Sequence, residues 1–304
     1  MTNTPLPAVA LAAVPGRRKR TLELAQEIER RGYSGIYCAS VGDAMGLCEA
    51  IALSTTRIPF GTAIANLYTR HVYDYAQSAS LIHELSGGRF YFGVGVSHAP
   101  MNDRLGVQTG KPLADARRFA EQYKAAPRVG DLPPLVLATL RKRMIALAGE
   151  LADGIVFANT TRSSLPNALT ALPAAKLADP RFYIGNMLPT CISDDRAAAA
   201  AVNRRTLVMY LTLPNYRNAW RDAGYASEIE AVEQALAGGE RGEKLPELMG
   251  ERWLKDVSLF GSVKEVREGY EAWLDAGLRT PILVPSSARG NQLVAFEELF
   301  AAFA

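Results

Sequence analysis

Short apolar runs alternate with amphipathic stretches along the whole chain, the order needed by a parallel sheet wrapped in crossover helices. Ala8 to Val14 predicts a first strand. Leu22, Ala25 and Ile28 then share one face of a helix from Thr21 to Arg31, which Gly32 stops. Gly35 to Ala39 reads as strand two, and Asp43 can cap a helix whose Ala44, Leu47, Cys48, Ile51 and Ala52 recur at helical spacing. Strand three is Ile58 to Ala65, the next helix is Val72 to Leu85, and Arg89 to Val96 supplies strand four after Gly87-Gly88.

The second half repeats the alternation. A helix from Leu113 to Lys124 leads to strand five at Leu135 to Thr139, and a helix aligning Met144, Leu147, Ala148 and Leu151 leads to strand six at Gly154 to Ala158. Strand seven falls at Phe182 to Pro189. From Asp194 to Asp256 the pattern is helical and longer than one barrel helix, which predicts an insertion containing Tyr210, Tyr216, Trp220 and Tyr225, and insertions after barrel strands line active sites. The capping box Ser262-x-x-Glu265 opens the last unit, followed by strand eight at Pro281 to Val284 and a helix with Leu293, Phe296, Phe300 and Phe303. Eight strand-helix units favour an α/β fold of the closed (β/α)8 TIM-barrel kind, one domain over residues 1–304, above a doubly wound open sheet.

Composition agrees with a large core, since 48% of the 304 residues are hydrophobic and 21% charged. A net charge of +3 from 34 basic and 31 acidic residues is too weak a field to predict nucleic acid or a membrane surface as partner. The basic run Arg17 to Arg20 reads as a solvated approach to the first helix. Three cysteines, Cys38, Cys48 and Cys191, lack paired or metal-ligand spacing, so neither a disulfide framework nor a structural metal is expected and a cytoplasmic setting fits. No apolar run is long enough to span a membrane, and Leu6 to Val14 is read as strand rather than leader.

Barrel active sites form at the C-terminal ends of the strands. That topology nominates Ser40, Val41, Gly42 and Asp43 after strand two, and Asn66, Leu67, Tyr68, Arg70 and His71 after strand three. Ser97 and His98 follow strand four, Thr139, Leu140 and Arg141 strand five, and Asn159, Thr160, Thr161 and Arg162 strand six. The last four join hydroxyls, a guanidinium and a helix start, a combination suited to an anion or to a plain cap beside an exposed arginine. Gly93-x-Gly95 is not a dinucleotide fingerprint, because the third glycine is absent and Pro100 interrupts the expected helix start.

Three segments resemble one family in order and spacing: Arg57-Ile58-Pro59-Phe60-Gly61-Thr62-Ala63 before Arg70-His71, Ser86-Gly87-Gly88-Arg89-Phe90 running into Gly93-Val94-Gly95, and Met144 to Gly154. Together they resemble the luciferase-like monooxygenase family of flavin and deazaflavin oxidoreductases. Leu213 to Arg217 and Leu259 to Ser262 are similar to its coenzyme F420-dependent branch.

The resemblance implies F420 as cofactor, with FMN as the alternative, a small organic substrate and a homodimer. It places a strand-three bulge at Ala63-Ile64-Ala65-Asn66, often with a non-prolyl cis peptide, against the ring. Ala65, Asn66, Gly95, Ser97, Ser40, Thr139 and Leu140 become cofactor contacts, and Asn159, Thr160, Thr161 and Arg162 the phosphate site. Gly93 and Gly95 would let backbone approach the ring, or else serve tight strand packing.

His98 would position substrate or donate a proton, Asp43 joins it as a catalytic candidate, His71 braces its loop and His83 is structural. The histidine that many relatives carry after strand two is absent from Ser40-Val41-Gly42-Asp43, which shifts the expected chemistry from alcohol oxidation to reduction of a carbonyl or activated double bond. The rivals are an FMN-dependent monooxygenase and a non-catalytic flavin-binding protein.

Overall fold

The computed structural model describes residues 4–40, 42–240, 242 and 244–304. Among them ten strands form one sheet: β1 Ala8–Leu11, β2 Gly35–Cys38, β3 Phe60–Thr62, β4 Ala65–Asn66, β5 Phe90–Gly95, β6 Leu135–Ala138, β7 Gly154–Ala158, β8 Tyr183–Ile192, β9 Leu259–Gly261 and β10 Thr280–Ser286. Hydrogen bonding orders them β10-β1-β2-β3-β5-β6-β7-β8, and β10 pairs again with β8, so eight strands close on themselves as a (β/α)8 barrel. β4 pairs with β5, and β9 pairs with β8. The barrel expected from the alternation is the fold observed.

Differences from the sequence reading have local causes. Strand three is broken between Thr62 and Ala65. β8 runs on to Ile192 because Thr190, Cys191 and Ile192 pair with Leu259, Phe260 and Gly261, a three-residue strand too short to read from pattern. The first helix begins at Arg18, so Arg18 to Arg20 lie in its first turn rather than ahead of it. A helix at Ala99–Arg104 was not foreseen: Pro100 sits in its first turn, where no intrahelical N–H bond is required, and so starts the helix instead of interrupting it.

Two compact units divide the chain, one running to Val156 and including Leu169–Gly185, the other comprising Phe157–Ala168 and Asn186–Ala304. In the first, several residues of the recognisable motifs turn out to brace the N-terminal ends of the strands. Arg89, just before β5, donates to the carbonyls of Ser86 (2.8 Å), Ile58 (2.9 Å), Ala52 (3.1 Å) and Thr55 (2.9 Å) and to the Thr55 hydroxyl (2.9 Å). Glu29, on the helix Arg18–Arg30, holds the same connection from the other side by accepting the N–H groups of Thr56, Arg57 and Ile58 at 2.8, 2.6 and 2.9 Å. Asp153 does the equivalent for later strands, its carboxylate accepting from Leu135 N at 2.9 Å and its carbonyl from Tyr183 N at 3.0 Å. Gly154 follows because a Cβ there would lie 2.4 Å from the Tyr183 Cβ and 2.8 Å from its carbonyl oxygen.

Burial raises the cost of ionising Glu29, but the amides of Ile58, Arg57 and Thr56 outweigh it and hold the carboxyl below its usual range. A folded-state pKa below the unfolded one means that this stabilisation is full above the unfolded pKa and is lost as pH falls through the folded value. Glu29→Gln is therefore expected to be less stable than the parent at neutral pH, with the gap shrinking in acid. Unfolding midpoints measured from neutral to acidic pH check this, and a gap independent of pH would contradict it.

In the second unit, the insertion consists of helices at Arg196–Leu211, Pro214–Asp222, Ala226–Ala237 and Glu251–Val257, with a 3-10 turn at Leu245–Leu248. Tyr216, Trp220 and Tyr225 are buried, and Trp253 packs 5.1 Å from Trp220 and 5.5 Å from Tyr225. These aromatics, expected at an active-site wall, form the insertion's own core, and only Tyr210 is half-buried. The capping box at Ser262 and Glu265 is present as expected. No helix among the described residues is long and apolar enough to cross a membrane.

Candidate active site at the strand ends

In the first unit the break in strand three places Ala63 and Ile64, joined by a cis peptide bond, between β3 and β4. The bulge expected at Ala63 to Asn66 is therefore real. A Cβ on Gly95, at the end of β5, would come 2.7 Å from the Ala138 Cβ and 3.2 Å from Ile64 Cδ1. Ile64, Gly95 and Ala138 thus pack together as an apolar bed, and Ile64 and Ala138 keep some solvent exposure. Thr139 comes next, with its hydroxyl buried and without a hydrogen-bond partner among the described residues. A buried hydroxyl left unsatisfied by the protein is costly, so a ligand supplying a polar edge here would restore the missing bond.

Gly93 answers a different need. A Cβ there would sit 1.9 Å from the Thr62 carbonyl oxygen, so its glycine serves strand packing, one of the two roles the sequence left open.

Asn66 is held inside the protein: its Nδ2 donates to Asn102 Oδ1 at 2.8 Å and its Oδ1 accepts from Tyr68 N at 3.1 Å. Its carbonyl accepts from the Tyr75 hydroxyl at 2.8 Å. Ser97 has a left-handed backbone with φ 55°, a conformation non-glycine residues adopt rarely and mostly where surroundings enforce it. His98 is the N-cap residue of the helix Ala99–Arg104, and burial lowers its pKa, which favours the neutral imidazole.

Asp43 caps the helix Ala44–Ser54 through Gly46 N at 3.0 Å and lies 3.4 Å from the Arg70 guanidinium. His71 caps the helix Val72–Leu85 by accepting from Tyr73 N, the bracing role expected of it, and His83 lies within that helix. Ser40 is exposed, Leu140 is half-buried, and Val41 lies outside the described residues.

Sequence reading missed Asn102 and Asp115, both buried and both tied to the connection after β4. Asp115 accepts from the Tyr68 hydroxyl at 2.7 Å, Gly110 N at 2.8 Å and Arg118 at 2.6 Å. A buried aspartate on the helix Pro112–Lys124 breaks that helix's apolar face, a signal available in the sequence.

In the second unit Asn159, after β7, also has a left-handed backbone, φ 55°, and its carbonyl accepts from Trp220 Nε1 at 3.0 Å. This ties the insertion to the strand end. Thr160 and Thr161 are buried, and the Thr161 and Ser164 hydroxyls are 2.5 Å apart. The amides that follow are already satisfied: Arg162 N donates to the Asp256 carbonyl at 2.8 Å and Ser163 N to the Asp256 carboxylate at 2.9 Å. The Ser163 and Tyr225 hydroxyls also donate to that carboxylate. The next helix starts only at Leu165, so the helix-start donors proposed for an anion are filled by Asp256. The Arg162 guanidinium, half-buried, forms no ion pair among the described residues.

Residues 6–128 and 117–280 match the family model described as luciferase-like monooxygenase. A Mycobacterium tuberculosis protein, provisionally named a coenzyme F420-dependent oxidoreductase, is 24% identical over 88% of this chain and 90% of its own. The coenzyme F420-dependent tetrahydromethanopterin reductase of Methanopyrus kandleri superposes with a TM-score of 0.76 at 18% identity, over 97% of each chain. The FMN-bound oxygenating component of 3,6-diketocamphane monooxygenase from Pseudomonas putida superposes with a TM-score of 0.56 at 15% identity, over 91% of this chain and 92% of that one. With most of its length matched by the family model, the chain belongs to the luciferase-like monooxygenase family.

Proposed function

We propose that this protein is a coenzyme F420-dependent oxidoreductase that acts as a reductase on a small organic substrate. The observation that carries the reading is the bed of Ile64, Gly95 and Ala138 beside the unsatisfied Thr139 hydroxyl. It fits a flat ring with a polar edge, and the F420-dependent relatives favour a deazaflavin. The reduced cofactor would supply the hydride.

The chain's own contributions follow from its geometry. The apolar bed supports one face of the ring and excludes water beneath it. Thr139 hydrogen-bonds the ring edge, and Arg162, which forms no ion pair among the described residues, attracts the anionic part of the cofactor. His98, neutral through burial, presents one ring N–H to a substrate oxygen and can hold or release a single proton there. Asp43 is bound up in its cap and in Arg70, which leaves His98 the better candidate for contact with substrate.

Anaerobic titration with F420 and with FMN, followed by assay of reduced F420 oxidation against carbonyl and enone substrates, tests the reading. Arg162→Ala is expected to weaken F420 binding by about tenfold or more, the loss of one charge-assisted contact. Unchanged affinity would remove Arg162 from the site. Binding of FMN with oxygen consumption would favour a monooxygenase, and binding without turnover a non-catalytic role.

A further inference from the structure

We propose that Asn102 is a positioning residue, fixing His98 by clamping the helix Ala99–Arg104 between the ends of β4 and β5. This rests on the reading of His98 as the residue that meets substrate. The helix has six residues, too few to hold its shape without outside support. Apolar packing does not supply that support, since Met101 and Leu105 are 40% and 51% exposed. Its one buried residue is the polar Asn102.

Every polar group of Asn102 is engaged. Its Oδ1 accepts from Asn66 Nδ2 at 2.8 Å, and its Nδ2 donates to the Val96 carbonyl at 3.0 Å. Its backbone N–H donates to the His98 carbonyl at 3.0 Å, and its carbonyl accepts from Val107 N at 3.1 Å. One side chain thus joins Asn66, within β4, to Val96, one residue beyond β5, while the same residue's backbone holds His98. The left-handed Ser97 lies between Val96 and His98, so the backbone that aims the imidazole is anchored on both sides by Asn102. Without the amide, Asn66 Nδ2 and the Val96 carbonyl lose their partner and the helix keeps no buried contact of its own.

The test uses the intact protein. The chain has three histidines, so proton NMR resolves their titrations, with His98 identified by the signal lost in His98→Gln. In Asn102→Ala the His98 titration is expected to move upward as the ring gains solvent. With reduced F420 and an accepted substrate, kcat should fall about tenfold to a hundredfold, and F420 affinity should change far less. Asn102→Asp keeps the acceptor for Asn66 but opposes the Val96 carbonyl, and serves if the alanine variant does not fold. Arg104→Ala, exposed on the same helix, should behave as wild type.

A folded Asn102 variant with an unmoved His98 titration and unchanged kcat overturns the proposal. If the wild type takes up no F420, the functional reading fails while the histidine titrations still decide the role of Asn102.

Discussion

Gly93→Ala is expected to yield no stably folded protein. The added Cβ would lie 1.9 Å from the Thr62 carbonyl oxygen and 3.0 Å from its carbon, and both atoms are backbone of a strand that cannot move without disturbing β5 and its neighbours. The Thr62 hydroxyl also donates to the Gly93 carbonyl at 2.6 Å, so separating the strands would break that bond as well. Overpacking in a core ordinarily costs about 1–3 kcal/mol, and a clash with rigid backbone belongs at or beyond the top of that range, roughly 4 kcal/mol or more. Against a total stability of about 5–15 kcal/mol, that is enough to empty the native state or bring it close to unfolding. Soluble yield and a thermal melt check it, and a native melting temperature would contradict it. Gly95→Ala is the contrast: its closest neighbours are the side chains of Ala138 and Ile64, so the fold should survive more readily while the bed beneath the proposed ring is filled.

Arg89→Ala should be the next most damaging change, although Arg89 sits just before β5, at the opposite end of that strand from Gly95. Its guanidinium donates five hydrogen bonds, four of them to backbone carbonyls at the end of the helix Ala44–Ser54, in its connection to β3 and in the turn before β5. The ring of Phe60 lies 5.2 Å beneath it. Truncation leaves several part-buried carbonyls without a donor, and bonds to a charged group are the stronger kind, so a loss of about 3–5 kcal/mol is expected. Arg89→Lys should recover little, because one ammonium cannot reproduce the planar fork. Denaturant midpoints for both variants, with F420 affinity measured on whatever remains folded, would show a stability defect without a matching binding defect. A loss of cofactor affinity in a variant of native stability would contradict it.

These two positions show what was legible in the chain. Period and punctuation were enough for the barrel, since Val72–Leu85 and Gly154–Ala158 appear with the bounds that apolar spacing implied. The family motifs were legible as motifs, but their work was not. The roles of Arg89, Asp153 and Gly154 depend on carbonyls and side chains that only the folded chain brings beside them, where they brace the strand starts. β9 was hidden because three residues make a strand only through their pairing with β8.

The site was legible in outline, because topology alone puts it at the strand ends. Its connections were not. Asn102 lies in a helix whose apolar residues face outward, the reverse of the usual pattern, so spacing could not mark it as buried. Asp256, nearly a hundred positions from Ser163, gave no sign that it would fill the donors nominated for phosphate.

The most direct test of the account is equilibrium binding of F420 and FMN to the purified protein under identical conditions, followed by addition of reduced F420 and candidate carbonyl substrates. The account predicts preferential F420 binding, weakened by Arg162→Ala, and substrate-dependent oxidation of the reduced cofactor. Preferential FMN binding, or no binding of either, would contradict it.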